Sequence, residues 1–211
     1  MKFKIFILLM MTVFCGLSAC TTHGANSTDR STVSDESFVS EEKSSLAETV
    51  NTEYMPLYGI MINCGDWTEA DEIPVTMYYA WYRDYINSVT TPEERQTLYK
   101  IDLPKYENGW AYPAGEFEDF VTRHFSVDVK YLRSSEDVYQ ADENVYWIPA
   151  GGAAANYRMK AASDDDISAD GDLLRIKVSC SAAGDFSDTV YKELTVDTAS
   201  GQIRFVSCRS L

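Results

Sequence analysis

Histidine is nearly absent from this chain. Among 211 residues there are two, His23 and His124. His23 falls in a polar N-terminal stretch, so a Ser-His-Asp, Cys-His or His-metal mechanism in the globular part has only His124 to use. His124 lies on the apolar side of an expected helix, beside Phe120 and Val121, where a histidine packed at the core boundary is the simpler reading. HExxH, GxSxG and a Gly-rich phosphate loop are all missing. Zinc peptidases, α/β-hydrolases and P-loop enzymes therefore have no motif support. Gly151-Gly152 with the three alanines after it lacks GxGxxG spacing and reads as a loop. There is no CxxC and no zinc-like spacing, so no metal and no cofactor are expected.

Positive charge is also scarce. Eighteen Lys and Arg face thirty-three Asp and Glu, a formal net charge of −15. A chain this acidic is a poor partner for nucleic acid or for anionic lipid headgroups, and the excess charge serves solubility at an anionic cell surface.

The first twenty residues are organised differently. Lys2 and Lys4 precede the apolar run Ile5 to Phe14, and Leu17-Ser18-Ala19 leads to Cys20. The apolar run is too short to span a bilayer core of roughly 30 Å and reads as a secretory signal. The ending Leu17-Ser18-Ala19-Cys20 resembles a bacterial lipobox. That resemblance implies a diacylglyceryl group on the Cys20 thiol and cleavage between Ala19 and Cys20, with the palmitate-type chains of a lipoprotein. Sulfur is the good nucleophile near neutral pH, and small residues before it suit a narrow protease cleft. Cys15 follows the bulky Phe14 and fits less well. Loss of Lys2 and Lys4 with the signal would take the formal charge from −15 to −17.

Residues 20–52 are rich in Ser, Thr and acidic side chains. Such a segment buries too little apolar area to offset its conformational entropy and is expected to be a disordered tether. As a flexible coil it spans roughly 30 Å. A short helix around Phe38 to Val50 is the one local element within reach. Residues 53–211 then form a single domain, large enough for a real core.

Within that domain, Glu53 to Trp67 reads as a strand or an extended lead-in. Asp71 or Glu72 opens a helix with Pro74 in its first turn. Val75, Tyr78, Trp81, Tyr82, Tyr85, Ile86 and Val89 follow helical spacing, with Thr76, Ala80, Arg83, Asp84 and Asn87 opposite. Thr91-Pro92-Glu93-Glu94 is a capping box that opens a second helix, to about Lys100. A third follows Pro113, with Phe117, Phe120, Val121 and His124 on one face. Ser126 to Ser135 is ambiguous between a helical turn and an extended segment. From Asp137 the period becomes two: a hairpin across 137–149, then strands near 156–163, 172–180, 189–197 and 202–208, the last in a meander.

Helices followed by an antiparallel sheet give an α+β class, with N-terminal helices packed on a curved antiparallel sheet. The wide aromatic stripe makes the architecture similar to cystatin-like and NTF2-like folds, by analogy. The run from Phe117 to Tyr139 and the strands after it also resemble uncharacterised lipoproteins of Gram-positive bacteria, over perhaps half the chain.

Three cysteines follow the tether: Cys64, Cys180 and Cys208. An odd count in an exported chain leaves at least one thiol free or paired between chains. Cys180 and Cys208 end strands two apart in a meander, roughly 9.6 Å, whereas a disulfide needs Cα atoms within about 7 Å. With Ile203 and Phe205 facing the core, Cys208 is expected on the opposite face, and no bridge is expected.

Other candidate chemistry is thin. Asp166, Ser168, Asp170, Gly171 and Asp172 fit the first half of a calcium loop, but Lys177 stands where a bidentate Glu belongs; an acidic inter-strand turn is the expectation. Glu116, Glu118 and Asp119 read as a solvated helix face. Trp67, Trp110 and Trp147 adjoin turns. Such tryptophans either form a platform for sugars or peptides or, more commonly, plug core edges.

These readings lead to a domain held by its lipid on the extracytoplasmic face of the cell membrane. It would bind a protein or small-molecule ligand without catalysis. The alternative is a cell-surface hydrolase acting on glycans through acidic residues, and a third is an accessory subunit of an envelope complex. Two facing carboxylates in a deep pocket would favour the hydrolase. An apolar concavity would favour binding, and an exposed apolar patch without a pocket would favour the subunit.

Overall fold

The structure is a computed structural model that describes residues 45–54, 65–149, 158–181 and 187–211. The signal segment, Ala19, Cys20, the tether up to residue 44, Cys64 and the Gly151-Gly152 loop lie outside the described residues. No helix among the described residues is long and apolar enough to cross a membrane.

The structured unit starts earlier than residue 53. Ser45 caps α1 (Leu46–Thr49) by accepting from the Glu48 amide, and a π-helical turn, Val50–Tyr54, continues it. Val50 is fully buried, and Asn51 exchanges two hydrogen bonds with Ala162, each 2.8 Å. Residues 45–52 thus belong to the domain and not to the tether. Their anchor is Ala162, 111 positions away, which no local reading reaches.

Local sequence sets the next elements. A 3-10 turn, Ala70–Glu72, precedes α2 (Val75–Val89), whose N-cap is Pro74; Pro74 therefore stands outside the first turn. Val75, Tyr78, Tyr79, Trp81, Tyr82 and Ile86 are buried, while Tyr85 and Val89 at the edge of the stripe are exposed. Thr91 and Glu94 form the expected reciprocal capping box of α3 (Pro92–Tyr99). A short β1 (Tyr112–Pro113) leads into α4 (Ala114–His124), and Asp128 caps a brief α5 (Val129–Arg133).

Two antiparallel sheets follow. In the small one, β3 (Val145–Tyr146) lies between β1 and β2 (Tyr139–Gln140). Asn144, at φ 53°, makes the left-handed turn of the β2–β3 hairpin, a conformation asparagine tolerates. The larger sheet runs β4 (Arg158–Met159), β6 (Leu173–Ser181), β7 (Val190–Asp197), β8 (Arg204–Ser210), with β5 (Ile167–Asp170) paired to β6 beyond β4. Helices and antiparallel sheets together make the fold α+β.

The core lies between α2, α4 and the large sheet. Trp81 touches Phe120, His124, Phe125 and Phe205, with ring centroids 4.6 to 6.2 Å apart. The wide stripe on α2 thus meets a second helix and the sheet together. The aromatic edges pack in tilted and T-shaped pairs, the arrangement ring quadrupoles favour.

Two expectations need revision. Asp166, Ser168 and Asp170 are spaced by two because Ser168 and Asp170 lie on strand β5, and Gly171, at φ 61°, makes the tight turn into β6. Strand period accounts for the spacing of Ser168 and Asp170, so the segment is a strand and turn where an acidic turn alone was expected. Cys208 does face the core. Val196 pairs with Phe205 and Thr195 with Ser207, so Val206 is an extra, bulged residue. The bulge resets the alternation and buries both Phe205 and Cys208. Cys180 and Cys208 are both free. Cys180 pairs with Val190 and Cys208 with Leu194, four positions along β7, so they are offset as well as two strands apart.

Candidate functional site

The polar flank of α2 lines a crevice. Thr76, Tyr79, Ala80 and Arg83, spaced i, i+3, i+4 and i+7, form one wall; Gly109, Trp110, Ile148 and Pro149 form the other, around a volume of about 150 Å³. Tyr79 ties the walls together. Its hydroxyl donates to the Trp110 carbonyl at 2.7 Å, with the Ile148 backbone amide beside it. Burial pushes the Tyr79 phenol up to about 12, so it stays protonated and a donor at any physiological pH.

Gly109 is required at its position. A Cβ there would stand 2.7 Å from Nε1 of Trp147 and 2.8 Å from the Ile148 carbonyl oxygen. Trp147 packs edge-on against Tyr106 at 5.3 Å in a small second core with Ala111 and Val145. It braces the crevice from behind. Arg83 is half exposed, and its Nε and Nη2 both lie 3.4 Å from one oxygen of Asp84. That is longer than a strong charge-assisted hydrogen bond.

The three tryptophans thus separate. Trp110 lines the crevice. Trp147 supports it. Trp67 is 2% exposed, packs against Phe125 at 5.8 Å, and exchanges two backbone hydrogen bonds of 2.9 Å with Cys208. Trp67 plugs the core beside β8 and offers no face to a ligand. The sequence marked Trp110 but not its neighbours, although Thr76, Ala80 and Arg83 were placed together on one flank of α2.

Glu118, His124 and the thiols of Cys180 and Cys208 lie away from the crevice. Glu118 is buried, contrary to the solvated-face expectation. Its carboxylate takes Arg133 Nε at 2.6 Å and Nη2 at 2.8 Å, and the Tyr146 hydroxyl at 2.9 Å. Nδ1 of His124 lies 3.0 Å from the Ile203 carbonyl oxygen; since a carbonyl only accepts, that nitrogen carries the proton. Burial lowers the affinity of His124 for a second proton. Burial also pushes both thiols up, Cys208 to about 11, away from thiolate chemistry.

Two other hollows contain carboxylates. One of about 300 Å³ is lined by Glu53, Arg123 and His124 with residues of the β7–β8 connection. Another, of about 290 Å³, contains Asp102 and Glu107, and its lining among the described residues comes from the single stretch 100–107. Its carboxylates sit along one loop and do not approach from opposing elements.

No family model matches the chain, and no curated protein and no solved structure matches it either.

Proposed function

We propose that this chain is a lipid-anchored bacterial lipoprotein whose domain binds a ligand in the Trp110 crevice. Residues 1–19 act as the signal peptide, Cys20 carries the lipid, and the following acidic run holds the domain off the extracytoplasmic face of the membrane. Two acyl chains, at about 0.8 kcal/mol per buried CH₂, give stable anchoring where one would be marginal.

The observation that carries the binding reading is the crevice itself: a part-exposed tryptophan and a part-exposed arginine on walls fixed by the Tyr79 hydrogen bond. A hydrolase acting on glycans needs two carboxylates flanking the bond. Among the described residues no carboxylate lines this crevice, which favours binding over glycoside cleavage there. Chemical-shift mapping with a library of single-ring sugars, short peptides and fragments tests it. Binders should perturb Thr76, Ala80 and Trp110 together. Binders that all map to other surfaces would contradict the assignment.

A further inference from the structure

We propose that the crevice takes a single six-membered ring bearing a carboxylate, with the ring against Trp110 and the carboxylate on Arg83. This rests on the binding reading above and adds the ligand's class.

Size limits the ligand first. A cavity of about 150 Å³ is the size of one that holds benzene, and lies below the pockets of several hundred Å³ that take drug-sized molecules. The crevice is open to solvent, so this volume seats one ring and any further part of a ligand lies outside it. Shape and surface come next. Trp110, Ile148 and Pro149 on one wall and Ala80 on the helix side are the apolar residues of the lining. An aromatic face accepts either a planar ring or the C–H face of a sugar.

Charge sets the class. The chain has thirty-three carboxylates and eighteen cations, yet among the described residues this crevice is lined by one cation, Arg83, and by no carboxylate. In an acidic protein, a guanidinium on the lining favours an anion. Asp84 is the one competitor at the guanidinium, at 3.4 Å and itself half exposed. A ligand carboxylate able to approach at about 2.8 Å, in the bidentate geometry guanidinium prefers, displaces so loose a pair. Thr76, two turns along the same flank, is a polar residue of the lining. A planar aromatic acid and a hexuronic acid share this chemistry.

The test uses the chain from Thr21 onward, which retains every core residue, Val50 to Cys208. Indole N–H resonances are followed by ¹⁵N NMR, with Trp110→Phe assigning the Trp110 signal. The probes are benzoate and glucuronate, against benzamide and glucose as neutral partners. At least one acid should move the Trp110 signal with an affinity in about the millimolar range, as expected of so small a ligand. Its neutral partner and the variant Arg83→Gln should each bind about tenfold more weakly, and Ala80→Leu should abolish binding by filling the space. Benzoate alone identifies aromatic acids as the source of the ligand, and glucuronate alone identifies acidic sugars. If acid and neutral probes bind equally, and Arg83→Gln changes nothing, the carboxylate class is overturned while the crevice stands as a binding site. If no probe moves Trp110, both readings fall.

Discussion

Arg133 grips both oxygens of Glu118, at 2.6 and 2.8 Å, with the carboxylate buried on α4 and the guanidinium half exposed on α5. Tyr146 completes the cluster from β3. One carboxylate therefore joins two helices and the small sheet. Removing it strands a buried phenol and a partly desolvated cation. Glu118→Ala should cost about 2 kcal/mol in urea denaturation, below the cost of a fully buried pair because Arg133 reaches solvent. Tyr146→Phe should cost about 1 kcal/mol. A double-mutant cycle between Glu118→Ala and Arg133→Ala should show the two substitutions to be less than additive.

His124 makes stability depend on pH. Burial is the main cause that holds its folded value below the ordinary 6.5; the Ile203 carbonyl works against burial and Arg123 adds to it. Below about pH 6.5 the unfolded chain therefore takes up a proton that the folded chain refuses. Stability is complete above that value and falls as pH drops towards the folded value. His124→Asn keeps a donor near Ile203 but does not titrate. Comparing the two proteins between pH 7.5 and about 5 should show the wild type losing stability relative to the variant. Parallel curves would contradict the assignment.

The two core thiols should be silent until the domain opens. Cys180 and Cys208 are fully buried, and Cys180 also donates to the Val190 carbonyl at 3.3 Å. Peptide mapping after brief iodoacetamide treatment at pH 8 should find both unmodified in native protein and both modified in urea, with no peptide linking them.

Gly109→Ala should disturb the crevice before it disturbs the fold. The added carbon meets Trp147 and the Ile148 carbonyl at under 3 Å, so the loop must shift, at about 1 to 3 kcal/mol. The Trp110 and Trp147 indole resonances should move while that of Trp67, in the main core, stays in place.

How far the fold could be read from the sequence follows how local each cause is. Thr91 and Glu94 cap α3 within three residues of each other, and that box was legible. The stripe from Val75 to Ile86 was legible because α2 repeats it. Strand β5 was not, since its one large apolar residue is Ile167 and the rest is small or polar. The burial of Glu118 depends on partners 15 and 28 positions away, and nothing near residue 118 announces them. The face of Cys208 was misread because one bulged residue, Val206, shifts the alternation after Phe205. At the crevice, the sequence gathered one wall on α2; the other wall arrives through the hydroxyl of Tyr79, across 31 positions.

In the proposed lipoprotein, the side of the membrane that the crevice faces is set by Cys20. The mass of the N-terminal peptide, taken from protein extracted from membranes with detergent, tests this most directly. The account predicts a chain that begins at Cys20 and carries a diacylglyceryl group on its sulfur. A bare Cys20, or a chain beginning at any other residue, would contradict it.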